Sequence, residues 1–224
     1  RSSMTADDVR QFYQRWYRPS NSAVVVVGDV DVNRVKAWAE KYYGAWKDAP
    51  VVPTKPQHEP PQEGIRRVTL EAAVDQPYLS MAFRIPAIQK SADLLGDNDV
   101  FALTVLAGVL NGHEGARLNK ALTEGPLAVA QSVSAYNGTL NRSGPNFFYV
   151  QAALVPGQSM ADLEAGIRKQ IQLIATDGVP PEELNRVKTM WIASRVFESD
   201  SLREQANELG FNWVLGFEHD AQER

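Results

Sequence analysis

The sequence contains no cysteine, and this absence excludes disulfide bonds, thiolate nucleophiles and cysteine-ligated metal centres. Long apolar runs are also missing: the longest, residues 23–27, is far shorter than the ~20 residues that a membrane-spanning helix needs. Basic residues are not in excess, because 23 Lys and Arg stand against 27 Asp and Glu, which disfavours a nucleic-acid surface. Hydrophobic residues make up 44% of the 224 residues, enough to bury a substantial core.

Catalytic and metal-binding motifs are scarce as well. The three histidines are His58, His113 and His219, and none has a second histidine at metal-ligand spacing. A protein zinc site needs three or four converging ligands, so His113 with Glu114 falls short of an H-E-x-x-H or H-x-x-E-H motif. No G-x-S-x-G nucleophile turn and no glycine-rich phosphate loop is present. The sequence therefore predicts no catalytic residue and no metal site in this chain, and His113 is interpreted as a solvated loop histidine.

Residues 1–48 are predicted to form a helix, a strand and a second helix. Thr5, followed by acidic residues, is typical of a helix start, and Pro19 ends that helix. The β-branched run 23–27 indicates a central strand covered on both faces, and residues 31–46 repeat apolar side chains at helical spacing. Six aromatic residues largely share this helical spacing and are interpreted as core rather than as a ligand surface: Tyr13, Trp16, Tyr17, Trp38, Tyr42 and Trp46.

A proline-rich stretch, residues 49–64, is predicted to be an extended linker and marks a domain boundary. After it, residues 65–72 and 78–85 are predicted to pair as antiparallel strands, and residues 127–136 and 147–155 to form a hairpin. Helices are predicted from a cap at Asp97 or Asn98, through Leu118 and Leu122, after Ser159, from Pro180 and from about Ser201. Because strands and helices come in blocks, the sequence predicts an α+β fold, a mostly antiparallel sheet with helices packed on one face.

Six segments in order resemble one protein family over essentially the whole chain. They are residues 5–13, 16–21, 25–31, 39–44, 112–118 and 178–184. Segment 112–118, Gly-His-Glu-Gly-Ala-Arg-Leu, resembles a glycine-rich turn followed by a Ser-Arg-Leu helix start, and 178–184 resembles a Gly-Val-Thr-x-x-Glu-Leu helix start. On these motifs the chain resembles the insulinase, pitrilysin and mitochondrial processing peptidase family of zinc metallopeptidases.

The resemblance implies two homologous α+β halves that face each other like a clamshell. In that family the first half carries an inverted H-x-x-E-H zinc motif, and zinc-bound water attacks a peptide carbonyl with the motif glutamate as general base. That motif is absent here, so the resemblance implies that residues 1–48 are the tail of the preceding half, 49–64 the linker and 65–224 a zinc-free second half. The implied cofactor, zinc, then belongs to a longer parent protein, and the implied partners are the preceding half and a peptide substrate.

Many relatives offer an arginine and a tyrosine to the substrate backbone after the Ser-Arg-Leu start. In this chain the arginine position falls at Thr123, and the tyrosine position falls at Val129 or Ala130. Neither role is therefore carried over. Arg117 occupies the arginine of the Ser-Arg-Leu start and is the single candidate substrate-binding residue, with a purely structural role as the alternative.

The predicted function is a non-catalytic, substrate-enclosing domain of a zinc metalloendopeptidase, inactive as this chain alone. The alternative is a scaffold or assembly subunit of the same fold without proteolysis, and an intact zinc motif in the parent would decide between them. A homo-oligomer is left open, and the periplasm is favoured over the cytoplasm because similar bacterial proteins are often exported. Residues 23–27 are further predicted to fill a vacant strand position in the sheet of the second half, in the same molecule or a neighbour.

Overall fold

The computed structural model describes residues 4–51, 60–85, 98–126, 128–138 and 146–216. Within these ranges the chain forms seven α-helices and three strands, with a short 3-10 turn at Pro19–Asn21. In chain order they are α1 (Ala6–Trp16), α2 (Val32–Tyr43), β1 (Tyr78–Ile85), α3 (Asn98–Asn111), α4 (Arg117–Leu122), β2 (Ala130–Asn137), β3 (Asn146–Leu154), α5 (Met160–Asp177), α6 (Pro181–Ser199) and α7 (Leu202–Leu215).

Local capping signals in the sequence set the helix ends as predicted. Thr5 and Asp8 form a reciprocal capping box at the start of α1, in which each side chain accepts a hydrogen bond from the other residue's main-chain N–H. The Ser159 and Ser201 hydroxyls cap α5 and α7 in the same position. Gly178 ends α5 with a φ of 75°, a left-handed value that favours glycine. The helix predictions are therefore confirmed within the described residues.

The three strands form one antiparallel sheet in the order β1-β3-β2. The predicted strand at residues 78–85 and the predicted hairpin strands are confirmed, although β2 begins at Ala130 and a register shift separates Ala130 from Ser132. Along β1, Leu79, Met81, Phe83 and Ile85 point to the core. The alternation read from the sequence is therefore the observed one.

Helices α3, α4 and α5 cover one face of the sheet, which confirms the α+β prediction. Their fully buried side chains join those of the sheet in one core: Leu110, Leu118, Leu163 and Ile167 from the helices, with Val150 from β3. Two glycines allow the helices to approach closely. A Cβ on Gly108 of α3 would lie 2.5 Å from Cγ1 of Val187 on α6, and a Cβ on Gly166 of α5 would lie 2.5 Å from Cδ2 of Leu122 on α4.

The prediction of a central strand at residues 23–27 is wrong. The segment is extended but joins no strand of the described sheet, and Val24 is 66% exposed while Val25 and Val27 are half-buried. It runs beside α7, where Val25 lies 4.0 Å from the position of a Cβ on Gly210. A β-branched run forms a strand only where a second main chain offers hydrogen bonds. The proposal that it completes the sheet of its own molecule is therefore also wrong, and pairing with a neighbour stays a prediction.

The predicted strand at residues 65–72 is wrong as well. Ile65, Val68 and Leu70 are exposed, Leu70 by 86%, and β1 pairs with β3 instead of with this segment. Polar contacts attach the segment to the domain. Arg67 donates two hydrogen bonds, of 2.6 and 2.7 Å, to the Glu164 carboxylate on α5. Its apolar side chains have no strand to cover them within the described residues.

The interpretation of the six N-terminal aromatic residues as core is wrong for this chain. Neither α1 nor α2 has a buried residue, and Tyr42 is 64% exposed. Tyr13 and Tyr17 stack on each other with ring centroids 4.6 Å apart, with both rings exposed. Helical spacing identifies an apolar face, but it carries no information on whether the same chain supplies the surface that covers it.

Candidate functional site

The sheet face opposite the core carries aromatic and polar side chains in the described part of the chain. Because side chains alternate along a strand, the side chains that do not point to the core lie on this opposite face. They are Tyr78, Ser80 and Arg84 of β1, Ser132, Ser134 and Tyr136 of β2, and Phe147, Tyr149 and Gln151 of β3. We call this set the open face. Each of these side chains is exposed or half-buried.

Aromatic rings form the centre of the open face. Tyr136 and Tyr149 are cross-strand neighbours and stack at 5.0 Å with 23° between their planes, and Phe147 lies 5.9 Å from Tyr149 in a tilted arrangement. Burial, together with the nearby Tyr136, raises the pKa of Tyr78. The face thus combines apolar rings with hydroxyl and amide groups, which suits the mixed polarity of a peptide.

A groove adjoins the open face at the outer edge of β2. It is a cavity of about 360 Å³ between β2, α3 and α6, and its walls include Gly108 and Asn111 of α3, Ala135 and Tyr136 of β2, and Trp191 of α6. The Asn137 side-chain amide donates a 3.1 Å hydrogen bond to the Thr104 hydroxyl between the strand and α3. The described residues that line the groove combine apolar side chains with uncharged polar groups from both α3 and β2.

Arg117, the predicted candidate for substrate binding, lies at the start of α4 and pairs with α6. Its Nε and Nη2 donate hydrogen bonds of 2.9 and 2.6 Å to the two Glu183 carboxylate oxygens. These hydrogen bonds lower the pKa of Glu183, while burial opposes the shift. The Arg117 side chain is only 18% exposed. Its described contacts support the structural alternative, and a contact with substrate stays a prediction.

The positions that correspond to substrate-binding residues of relatives have structural contacts here. The Thr123 hydroxyl donates a 2.8 Å hydrogen bond to the Asn119 carbonyl at the end of α4. Val129 packs against the core, and Ala130 is buried at the start of β2. None of these three side chains belongs to the open face.

Metal-binding groups do not converge in the described ranges. No group of three His, Asp or Glu residues there could hold a metal ion. The His113 carbonyl accepts a 3.0 Å hydrogen bond from the Asn119 side chain, in the turn between α3 and α4. His58 and His219 lie outside the described residues.

Among the described helices, none is both long and apolar enough to cross a membrane.

The sequence of β3 contains a signal for the open face. Strand β3 alternates strictly between buried and half-buried positions, and its half-buried positions are Phe147, Tyr149, Gln151 and Ala153. Aromatic residues on the outer side of a central strand indicate a surface that a ligand or a second protein layer covers. The groove had no such signal, because Trp191 reaches it from a helix that is distant in sequence.

Comparison with known proteins gives matches over nearly the whole chain. The family model described as the peptidase M16 inactive domain matches residues 3–190. The zinc protease PqqE of Helicobacter pylori is 23% identical over 187 residues, which cover 82% of this chain and 40% of that protein. The chain therefore spans less than half the length of this relative.

Solved structures agree with the fold. The crystal structure of a protease from Helicobacter pylori matches 96% of this chain and 50% of its own, with a TM-score of 0.84 and 22% identity. The periplasmic protease PqqL from Escherichia coli matches 96% of this chain and 24% of its own, with a TM-score of 0.57 and 18% identity. At these identities the structural matches speak for the fold alone.

Proposed function

Because the chain belongs to the peptidase M16 inactive-domain family, we propose that it is the non-catalytic, substrate-enclosing domain of a zinc metalloendopeptidase. The metal centre then lies in another part of a longer protein. Support comes from the relatives named zinc proteases, which are more than twice as long as the stretch they share with this chain. Zinc in that parent would activate water for attack on a peptide carbonyl, and the chain described here would supply a wall of the chamber.

The observation that carries the proposal is the open face. Its rings and hydroxyls lie on the side of the sheet away from the helical layer, and Tyr136, Tyr149 and Phe147 offer contact area at low cost in side-chain entropy. A surface of this kind can hold many peptide sequences, because it matches main-chain polarity and apolar side chains without a fixed pattern of charge. Arg84 is the single charged side chain of the open face.

The proposed domain organisation keeps residues 1–48 as the closing part of the preceding half, 49–64 as the linker and 65–224 as the second half. Helices α1 and α2 contribute nothing to the buried core of the described residues. Their exposed rings, among them Phe12, Trp38 and Trp46, would be covered by the zinc-bearing half. The partner of this chain is thus proposed to be the preceding part of its own protein.

The proposed location is the periplasm rather than the cytoplasm. A structural neighbour, PqqL of Escherichia coli, is described as periplasmic. Fractionation of cells that express the full-length protein tests this, and recovery of the protein with cytoplasmic markers would contradict it.

The decisive experiment measures hydrolysis of an internally quenched peptide by three samples: this chain, the zinc-bearing remainder of the protein, and the two combined. We expect turnover only in the combined sample, because the peptide must be held between both halves. Equal turnover by the zinc-bearing part alone would contradict the enclosing role. A full-length protein without an H-x-x-E-H motif and without bound zinc would favour the scaffold alternative.

A variant of the open face tests its contact with substrate. Tyr149→Ala removes a ring that is worth ~1 kcal/mol in an aromatic contact, so we expect KM of the combined sample to rise by about fivefold. Lys169→Ala, on the exposed outer side of α5, is the matched control and should leave KM unchanged. Equal KM values for the two variants would show that the open face does not contact the substrate.

A further inference from the structure

The chemistry of the open face changes along the strands, and its one cation lies near the end of β1. Ser80, Gln151 and Ser134 lie side by side across the sheet and carry only neutral hydroxyl and amide groups. Four residues after Ser80, Arg84 lies opposite Phe147 of β3. A ligand on the open face therefore meets neutral donors and acceptors toward one end and a guanidinium at the other.

Most N–H donors of Arg84 have no acceptor in the described part of the chain. The side chain is exposed, and its Nη1 donates a 3.1 Å hydrogen bond to the Pro60 carbonyl. No Asp or Glu of the described ranges forms an ion pair with Arg84, whereas Arg67 pairs with Glu164. A guanidinium has five N–H donors, so one carbonyl leaves most of them open to a ligand.

Aromatic rings border this guanidinium on one side. Phe147 is the cross-strand neighbour of Arg84, and Tyr149 and Tyr136 continue the row of rings across the sheet. Ala82, which pairs with Tyr149, adds only a methyl group beside that ring. Rings that displace water from Arg84 strengthen its attraction for an anion, and an apolar side chain of the ligand would bury surface on the same rings.

We infer that the open face selects peptides with an acidic side chain, whose carboxylate pairs with Arg84 while an apolar side chain of the same peptide packs on Phe147 and Tyr149. A guanidinium binds a carboxylate through two parallel hydrogen bonds, which a neutral amide does not match in strength. The carboxylate belongs to a side chain, because an endopeptidase holds its substrate away from the chain ends. The inference rests on the proposed function and deepens it by naming the class of substrate that the inactive half prefers.

The overall charge of the chain does not produce this preference. The formal net charge is -4 at pH 7, so the general field of the protein disfavours an acidic ligand. A preference for acidic peptides therefore requires a local contact, and Arg84 is the one cation of the open face.

The test is an anisotropy titration of the 224-residue chain with three fluorescein-labelled peptides. Gly-Phe-Ala-Glu-Ala-Phe-Gly-amide carries the acidic side chain, a second peptide has glutamine in its place, and a third has glutamine and a free terminal carboxylate. We expect the glutamate peptide to bind about fivefold more tightly than the other two. Equal affinities for the glutamate and glutamine peptides, absence of binding, or an equal gain for the third peptide overturns the inference.

Three variants assign the preference to Arg84. Arg84→Gln removes the charge but keeps an amide donor for the Pro60 carbonyl, and the ratio of glutamate-peptide to glutamine-peptide affinity should fall to about one. Arg84→Lys keeps the charge and should retain part of the preference. Arg203→Gln, on an exposed position of α7, makes the same change in net charge and should leave the ratio unchanged. We expect unchanged far-ultraviolet circular dichroism for all three.

Two results with these variants would contradict the assignment. If the preference for glutamate survives in Arg84→Gln, or falls equally in Arg203→Gln, the carboxylate does not pair with Arg84 and the inference is overturned. If Arg84→Lys loses the preference as completely as Arg84→Gln, the positive charge is not its cause, and the inference is overturned as well.

Failure of this inference is distinguishable from failure of the proposed function. Internally quenched forms of the glutamate and glutamine peptides give the ratio of their kcat/KM values in the combined sample. If hydrolysis needs this chain, but the ratio is the same for the parent chain and Arg84→Gln, the chain encloses substrate without selecting acidic side chains. If hydrolysis does not need the chain at all, the enclosing role fails first, whatever the isolated chain prefers.

Discussion

Replacement of Gly108 by alanine tests how closely the helical layer is packed. The new methyl group would lie 2.5 Å from Cγ1 of Val187, a side chain that is only 6% exposed. Overpacking of this size costs about 1–3 kcal/mol. Alanine also improves helix propensity by about 1 kcal/mol relative to glycine, which offsets part of that cost.

A second glycine separates these two effects. Gly210 also lies inside a helix, but a Cβ there would meet its nearest neighbour, a methyl carbon of Val25, at an ordinary 4.0 Å. Gly210→Ala should therefore stabilise the chain by about 0.5–1 kcal/mol. The difference in free energy of unfolding between Gly108→Ala and Gly210→Ala isolates the overpacking cost, and we expect it to be about 1–3 kcal/mol.

Urea unfolding followed by circular dichroism at the helix band measures the difference, with the slope against denaturant checked for equality between variants. The double variant Gly108→Ala/Val187→Ala should recover part of the loss, because the added methyl group then occupies the space that the smaller side chain leaves. If Gly108→Ala stabilises the chain as much as Gly210→Ala does, α3 and α6 are not in contact at this point, and the reasoning is refuted.

Two ion-paired carboxylates, Glu164 and Glu183, give the remaining predictions. Hydrogen bonds from Arg67 and Arg168 lower the pKa of Glu164 from its ordinary value of 4.5 to about 2, so the ionised carboxylate stabilises the fold above pH 4.5 and this contribution is lost as the pH falls toward 2. Thermal unfolding midpoints should show Glu164→Gln less stable than the parent chain at pH 7 and equally stable near pH 2; a constant gap would contradict the pairing. Arg117→Ala should lower the free energy of unfolding by about 1–3 kcal/mol, and the charge-swapped pair Arg117→Glu/Glu183→Arg should recover part of it. If the charge-swapped variant binds peptide as tightly as the parent chain does, the role of Arg117 is structural. If the folded charge-swapped variant binds peptide more weakly, Arg117 contacts the substrate.

The features that the sequence predicted correctly are those that depend on residues close together along the chain. The helix start at Thr5 depends on a few adjacent residues and was predicted, and the positive φ of Gly178 at the end of α5 is an equally local feature. Residues 23–27 and 65–72 have strand composition, but a strand also needs a second main chain, and the described sheet does not supply it. A sequence pattern identifies a segment that can form a strand, but it does not show whether a partner strand is present.

The candidate site divides in the same way. The rings of β3 follow from alternation along one strand, so Tyr149 was predictable in principle. The groove requires Gly108, Ala135 and Trp191 to meet from three separate elements, and only the tertiary structure brings them together. Arg117 was picked out by motif, and its partner Glu183 lies 66 residues away, beyond the reach of any local pattern.

The exposed valines at residues 24 and 26 have a consequence for the life of the polypeptide in the cell. An exposed, extended, β-branched segment can pair with another extended chain, and such segments are recognised hazards for aggregation. Until a cognate surface covers it, this stretch invites chaperone binding or proteolytic clearance.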